Sequence, residues 1–106
     1  MGDDYTVSSG NVFADLGVPD AEAALVKSDL AAAIAATIRQ RGLTQAQAAT
    51  LLSIDQSRVS RITRGDLAHY TMDRLLRFLT LLNHDVTIVV GNEQRDQAGA
   101  LRVRAG

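Results

Sequence analysis

The chain of 106 residues has no cysteine and no tryptophan, a single proline, and only two tyrosines and two phenylalanines. Without thiols there is no disulfide framework and no thiolate metal site, which suits a reducing cytosol. With so few aromatic residues, Ala, Leu, Ile and Val must supply the core. No apolar run approaches the roughly 20 residues that a membrane span needs. The opening Met-Gly-Asp-Asp lacks the basic-then-apolar layout of a signal peptide. A soluble cytoplasmic protein without membrane association is expected, and the length suits one domain with a modest core.

Charge is present but unevenly placed. The net charge is −1, yet residues 1–38 carry Asp3, Asp4, Asp15, Asp20, Glu22 and Asp29 against Lys27 alone, a local charge of −5. Residues 39–77 carry Arg39, Arg41, Arg58, Arg61, Arg64, Arg74 and Arg77 against Asp55, Asp66 and Asp73, a local charge of +4. Residues 78–106 balance. Affinity for phosphate follows the local field rather than the total. A block whose bases are all arginine suits bidentate contacts to phosphate or guanine.

The pattern along the chain predicts an all-α fold, a compact bundle of four to five helices followed by one C-terminal β-strand. Residues 1–18 read as an irregular polar arm with apolar Val12, Phe13, Leu16 and Val18 close together. Pro19-Asp20 opens a long helix ending near Arg41, with Gly42 as its stop and Leu30, Ile34 and Ile38 as its inward stripe. Short helices over 45–52 and 56–63 follow. Thr71 caps a last helix running to about Leu82, with Met72, Leu75, Leu76, Leu79 and Leu82 on one face. The heptads do not continue, so that face is core rather than a zipper. Residues 19–83 thus form the helical domain, 84–91 the strand and 92–106 a polar, frayed tail.

The strand, Asp85-Val-Thr-Ile-Val-Val90, is a β-branched run after a left-handed stop at Asn83. A lone strand leaves its backbone groups unpaired. Tyr5-Thr6-Val7 or the same strand of a second chain could complete it, and a two-fold dimer through Val86, Ile88 and Val90 is the favoured expectation.

Residues 43–65, Leu-Thr-Gln-Ala-Gln-Ala-Ala-Thr-Leu-Leu-Ser-Ile-Asp-Gln-Ser-Arg-Val-Ser-Arg-Ile-Thr-Arg-Gly, are the most informative. Thr44 and Gln47 have the spacing of a capping box, and Asp55 can cap the next helix. The tight turn between them is that of a helix-turn-helix. Val59 and Ile62 point inward, while Gln56, Ser57, Ser60, Arg61 and Arg64 face out.

This stretch resembles the helix-turn-helix of the Xre family of phage-repressor-like DNA-binding proteins. Thr44-Gln45, Ala49, Leu52, Val59-Ser60-Arg61-Ile62 and Arg64-Gly65 carry the likeness. It departs at Ser53, where glycine is usual, and at Ala48, where a larger aliphatic is common. A slightly different turn and a looser pack around the first helix of the pair are therefore expected. Over residues 10–90, Gly10-Asn-Val-Phe-Ala-Asp-Leu-Gly-Val-Pro-Asp20, Leu75-Leu-Arg-Phe-Leu79 and Asp85-Val-Thr-Ile-Val89 are similar to the HigA-type antitoxins. That resemblance implies a repressor of its own operon that neutralises a small basic toxin of the RelE/ParE type. Val12, Phe13 and Leu16 would then be toxin contacts. A solitary Xre-type or phage-type regulator shares the same layout.

In a helix-turn-helix the second helix lies in the major groove and the first crosses the backbone. Gln56, Ser57, Ser60 and Arg61 are accordingly the expected base readers. Thr44 and Gln45, at a helix N-terminus, and Arg58, Arg64 and Arg39 are the expected backbone contacts. The partner would be double-stranded operator DNA, palindromic, with half-sites about 34–36 Å apart. Arg74 and Arg77 are divided between phosphate contact and plain solvation. His69 and His84 lack clustered carboxylates or cysteines for a metal site, and no serine has a placed base for nucleophilic catalysis. Neither a cofactor nor an enzymatic activity is expected.

Overall fold

A computed structural model of the chain describes residues 20–93 and 96–104. The arm over residues 1–18, with Val12, Phe13 and Leu16 and the alternative strand partner Tyr5-Thr6-Val7, lies outside the described residues. Four helices follow in order: α1 (Asp20–Gln40), α2 (Gln45–Leu52), α3 (Gln56–Thr63) and α4 (Met72–Leu81). Their bounds fall where the start and stop signals in the sequence place them.

The helices end alike. In each, the residue after the last turn adopts the left-handed conformation: Gly42 (φ 64°), Ser53 (φ 59°), Gly65 (φ 81°) and Asn83 (φ 72°). The next N–H then reaches back five residues. Leu43 donates to Ile38 O, Ile54 to Ala49 O, Asp66 to Arg61 O and His84 to Leu79 O, all within 2.9–3.1 Å. These are Schellman closures, which satisfy carbonyls that a helix end would leave bare. Ser53 therefore takes the left-handed conformation that glycine favours.

The core joins all four helices. Val26, Leu30, Ala31, Ile34 and Ile38 of α1 meet Ala48, Ala49 and Leu52 of α2, Val59 and Ile62 of α3, and Met72, Leu75, Phe78 and Leu79 of α4. α1 packs most closely on α4 and also against α3, and α2 rests on α3 and α4. Each fully buried aliphatic side chain here contributes about 1.5–3 kcal/mol. Phe78 is buried while Leu76 is only half-buried, so the inward face of α4 is rotated slightly from the expected face of Met72, Leu75, Leu76, Leu79 and Leu82. Ala48 is fully buried. Leu43 and Ile54, the residues after two of the helix stops, close against the same core.

Polar ties from α1 hold both ends of α4. Lys27 Nζ donates to Tyr70 O at 3.0 Å, just before the helix, and Arg41 Nη1 donates to Leu82 O at 3.2 Å, just after it. The buried Thr37 hydroxyl donates to Ala33 O at 2.9 Å. It lies 2.6 Å from His84 Nε2, so with its proton engaged it accepts from that ring nitrogen. His84, which the sequence marks only as a polar residue after a helix end, thus pins the exit of α4 to α1.

Two expectations fail beyond that point. No β-strand is formed among the described residues. Residues 85–90 run without a ladder, and Ile88 and Val90 are 70% and 90% exposed. No partner strand lies beside this segment among the described residues: β-branched residues favour extended backbone, but a strand needs a second one for its hydrogen bonds. The last segment, in turn, is not a simple frayed tail. Leu101 N–H donates to Glu22 Oε2 at 2.6 Å, and Val103 is half-buried against the core. Among the described residues no helix is long and apolar enough to cross a membrane.

Candidate nucleic-acid interface

α2 and α3 stand apart from α1 in what they show to solvent. At the start of α2, Thr44 Oγ1 accepts from Gln47 N–H at 3.0 Å and Gln47 Oε1 accepts from Thr44 N–H at 2.8 Å. The capping box is formed as the spacing predicts, and with Ala48 N–H bonded to Thr44 O it leaves the amides of Gln45 and Ala46 pointing out of the helix end. Thr44 and Gln45 are both exposed.

α3 begins after a turn of three residues. Asp55 caps it, with Oδ1 accepting from Arg58 N–H at 2.9 Å and from the Ser57 hydroxyl at 2.7 Å. Those two bonds, the Ser57 hydroxyl foremost, and the nearby charges of Arg58 and Arg61 hold the Asp55 carboxyl below the usual carboxylate range. Arg58 Nε also lies 3.8 Å from Asp55 Oδ2, both side chains well exposed, an ion pair of little consequence for stability. Val59 and Ile62 are buried. Gln56, Ser57, Arg58, Arg61 and Arg64 are exposed and Ser60 is half-buried. The outward face of α3 is thus uniformly polar and basic, as its sequence requires.

Beside α3 lies a feature that spacing alone did not reveal. Arg58 and Arg61 line a shallow concavity of about 320 Å³ with Asp66, His69, Tyr70 and Arg74. The Arg74 guanidinium sits 5.9 Å from the Tyr70 ring centre and 5.4 Å from that of Phe78, and the two rings meet edge to face at 6.0 Å. The faces of the two rings attract the guanidinium charge and hold it beside them. Arg74, undecided by sequence, therefore joins the α3 arginines. Arg77 is not among the residues that line the concavity, and its Nη1 donates to Thr80 Oγ1 at 3.4 Å. Arg39 is exposed in the last turn of α1, outside the residues that line the concavity. Arg41 is engaged by the α4 carbonyl. The signal that could have found Arg74 is its spacing: it stands four residues after Tyr70 and four before Phe78.

A four-helix domain with a capped helix pair and an exposed basic second helix defines the helix-turn-helix class. The chain matches the profile of a family described as "Helix-turn-helix domain" across residues 12–91. It belongs to that family. A solved structure named provisionally as an XRE-family transcriptional regulator is similar to it at 38% identity and a TM-score of 0.72, over 82% of this chain and 97% of the other. No curated protein matches the chain.

Proposed function

We propose that the chain is a sequence-specific DNA-binding transcriptional repressor. The observation that carries this reading is the outward face of α3, where Gln56, Ser57, Ser60 and Arg61 stand on a helix fixed from behind by Val59 and Ile62. In the groove, Gln can pair with adenine N6/N7 and Arg with guanine O6/N7. The free amides beside Thr44 and Gln45 suit one phosphate, and Arg58, Arg64 and the stacked Arg74 suit others. Arg39 extends the same charge from α1. The XRE-type relative supports the same class. A gel shift on DNA upstream of the chain's own coding region tests it. Arg61→Ala should cost about 1–3 kcal/mol of binding and relax the sequence preference. Equal affinity and equal selectivity in that variant would sink the assignment.

The reading includes a dimer. Val86, Ile88 and Val90 are exposed in a β-branched segment that pairs with no strand among the described residues, and a second copy would supply both the hydrogen bonds and the apolar cover. Two copies would read a palindrome. Ile88→Pro should sediment as a monomer and bind operator more weakly; a mass identical to that of the parent would remove this segment from the dimer.

The −5 charge of residues 1–38 and the HigA-type resemblance favour a second role, capture of a small basic toxin as the antitoxin of a HigBA-like pair, with Val12, Phe13 and Leu16 as contacts. Deleting residues 1–18 should then abolish toxin co-purification and spare DNA binding. A neighbouring gene that encodes no small basic protein would favour a solitary regulator.

A further inference from the structure

A serine hydroxyl that faces a base edge can donate or accept, and so by itself discriminates weakly. Ser57 has lost that freedom. Its single proton is given to Asp55 Oδ1 at 2.7 Å, and Asp55 is held where it receives it by the Arg58 N–H at 2.9 Å on the same oxygen. The depressed carboxyl keeps Asp55 ionised at neutral pH, hence an acceptor without a proton to return. Ser57 Oγ consequently shows only lone pairs to the outside. Ser60, one turn along, has no such partner among the described residues and keeps both roles.

We propose that Asp55 fixes Ser57 as an acceptor-only reader, so that the base it faces on one strand of each half-site must be the member of its pair that carries an exocyclic amino group. Cytosine N4 or adenine N6 meets that demand at the major-groove edge. Guanine, with acceptors at O6 and N7, and thymine, with an acceptor at O4, meet Ser57 lone pair to lone pair. Ser57 is then a specificity determinant, and Asp55 is its positioning residue in addition to being the cap of α3. The inference rests on the DNA-binding reading above, since the base edge is its ligand.

Three variants separate this role from simple capping. Asp55→Asn keeps an oxygen for both the Ser57 hydroxyl and the Arg58 amide. Asp55→Gly removes that oxygen but remains an acceptable cap residue, which frees the Ser57 proton. Ser57→Ala removes the hydroxyl. Each is folded, checked by circular dichroism, and used as the full chain to select binders from a randomised duplex library. The parent and Asp55→Asn should enrich cytosine or adenine at the same position. Asp55→Gly should admit guanine or thymine there. Ser57→Ala should lose the preference, with about a 3- to 10-fold drop for the parent's best site, the size of one hydrogen bond. A motif unchanged in Asp55→Gly, with all sequences weakened evenly, would make Asp55 a cap alone and overturn the inference. So would a parent that accepts both orientations of a pair, cytosine and guanine or adenine and thymine alike, at the position Ser57→Ala relaxes. If the parent enriches no motif, the DNA reading fails first, and this inference with it.

Discussion

α2 and α3 are each eight residues long, capped by a side chain at the start and closed by a left-handed residue or a tight turn at the end. They differ in what they spend their side chains on. α2 buries Ala48, Ala49 and Leu52 and presents few charges, so it serves chiefly as a wedge between α3 and α4. α3 buries only Val59 and Ile62 and turns every other side chain partly or wholly outward. The lesson is that the contact helix depends on two anchors. Its outer face is polar enough to be useless for packing, and the neighbouring helix supplies the rigidity it lacks.

The comparison breaks most severely at those anchors. Ile62→Ala should destabilise the fold by about 2–4 kcal/mol, because it removes a fully buried aliphatic side chain and leaves a cavity under α3. Gln56→Ala, on the outer face of the same helix, should change stability by no more than about 0.5 kcal/mol. Urea denaturation of both variants gives the measurement. Similar losses would mean that the two faces of α3 are not divided as their burial indicates.

On the α2 side the corresponding test adds volume. Ala48 has no exposed surface and lies among Ala49, Leu52 and the α3 anchors. Ala48→Leu, the kind of larger aliphatic that Xre-like proteins carry, should cost about 1–3 kcal/mol by overpacking. An unchanged denaturation midpoint would show slack between α2 and α3.

How far these roles could be read in advance depends on range. The helix bounds, the Thr44–Gln47 box and the stops at Gly42, Gly65 and Asn83 are local chemistry, written within five residues of one another, and they were legible. Phe78 rather than Leu76 on the buried face of α4 was not, because two leucines and a phenylalanine in adjacent positions leave the helical phase open by one residue. Contacts between distant residues were not legible either. Thr37 with His84 spans 47 positions, and Leu101 with Glu22 spans 79. The 85–90 segment shows the converse. Its strand propensity is real, but propensity without a partner makes no ladder. At the interface, the outer residues of α3 follow from periodicity alone, whereas the concavity needed the fold to bring His69 and Arg74 near the α3 arginines.

That concavity offers a finer test of what α3 does. Arg74→Gln removes the stacked charge without touching α3 itself. Operator binding should weaken by about 1 kcal/mol, evenly across sequences, and the slope of log K against log salt should fall by about one. Arg61→Ala should instead alter which sequences are preferred. A change of sequence preference in Arg74→Gln would move the reading surface off α3 and onto α4.

The smallest expected effect concerns the turn that joins the two helices. Ser53 holds φ 59° where a side chain bearing Cβ is strained by about 1–2 kcal/mol. Ser53→Gly relieves that strain, but the freer backbone of glycine in the unfolded chain returns about 0.5–1 kcal/mol of it. A net gain of about 0.5 kcal/mol should remain, a rise of about 2–4 °C in Tm for a domain of this size. The other helix ends provide the controls. Gly65→Ala meets no atom within 4 Å, so its loss is backbone strain offset only by the stiffer unfolded chain, and it should lower stability by about 0.5–1 kcal/mol. Asn83→Gly should do less than Ser53→Gly, because asparagine tolerates the left-handed region better than serine. If Ser53→Gly lowers Tm while Gly65→Ala also lowers it, the serine at 53 contributes more than the conformation it adopts. The α2–α3 turn would then be held by its side chain as well as by its backbone.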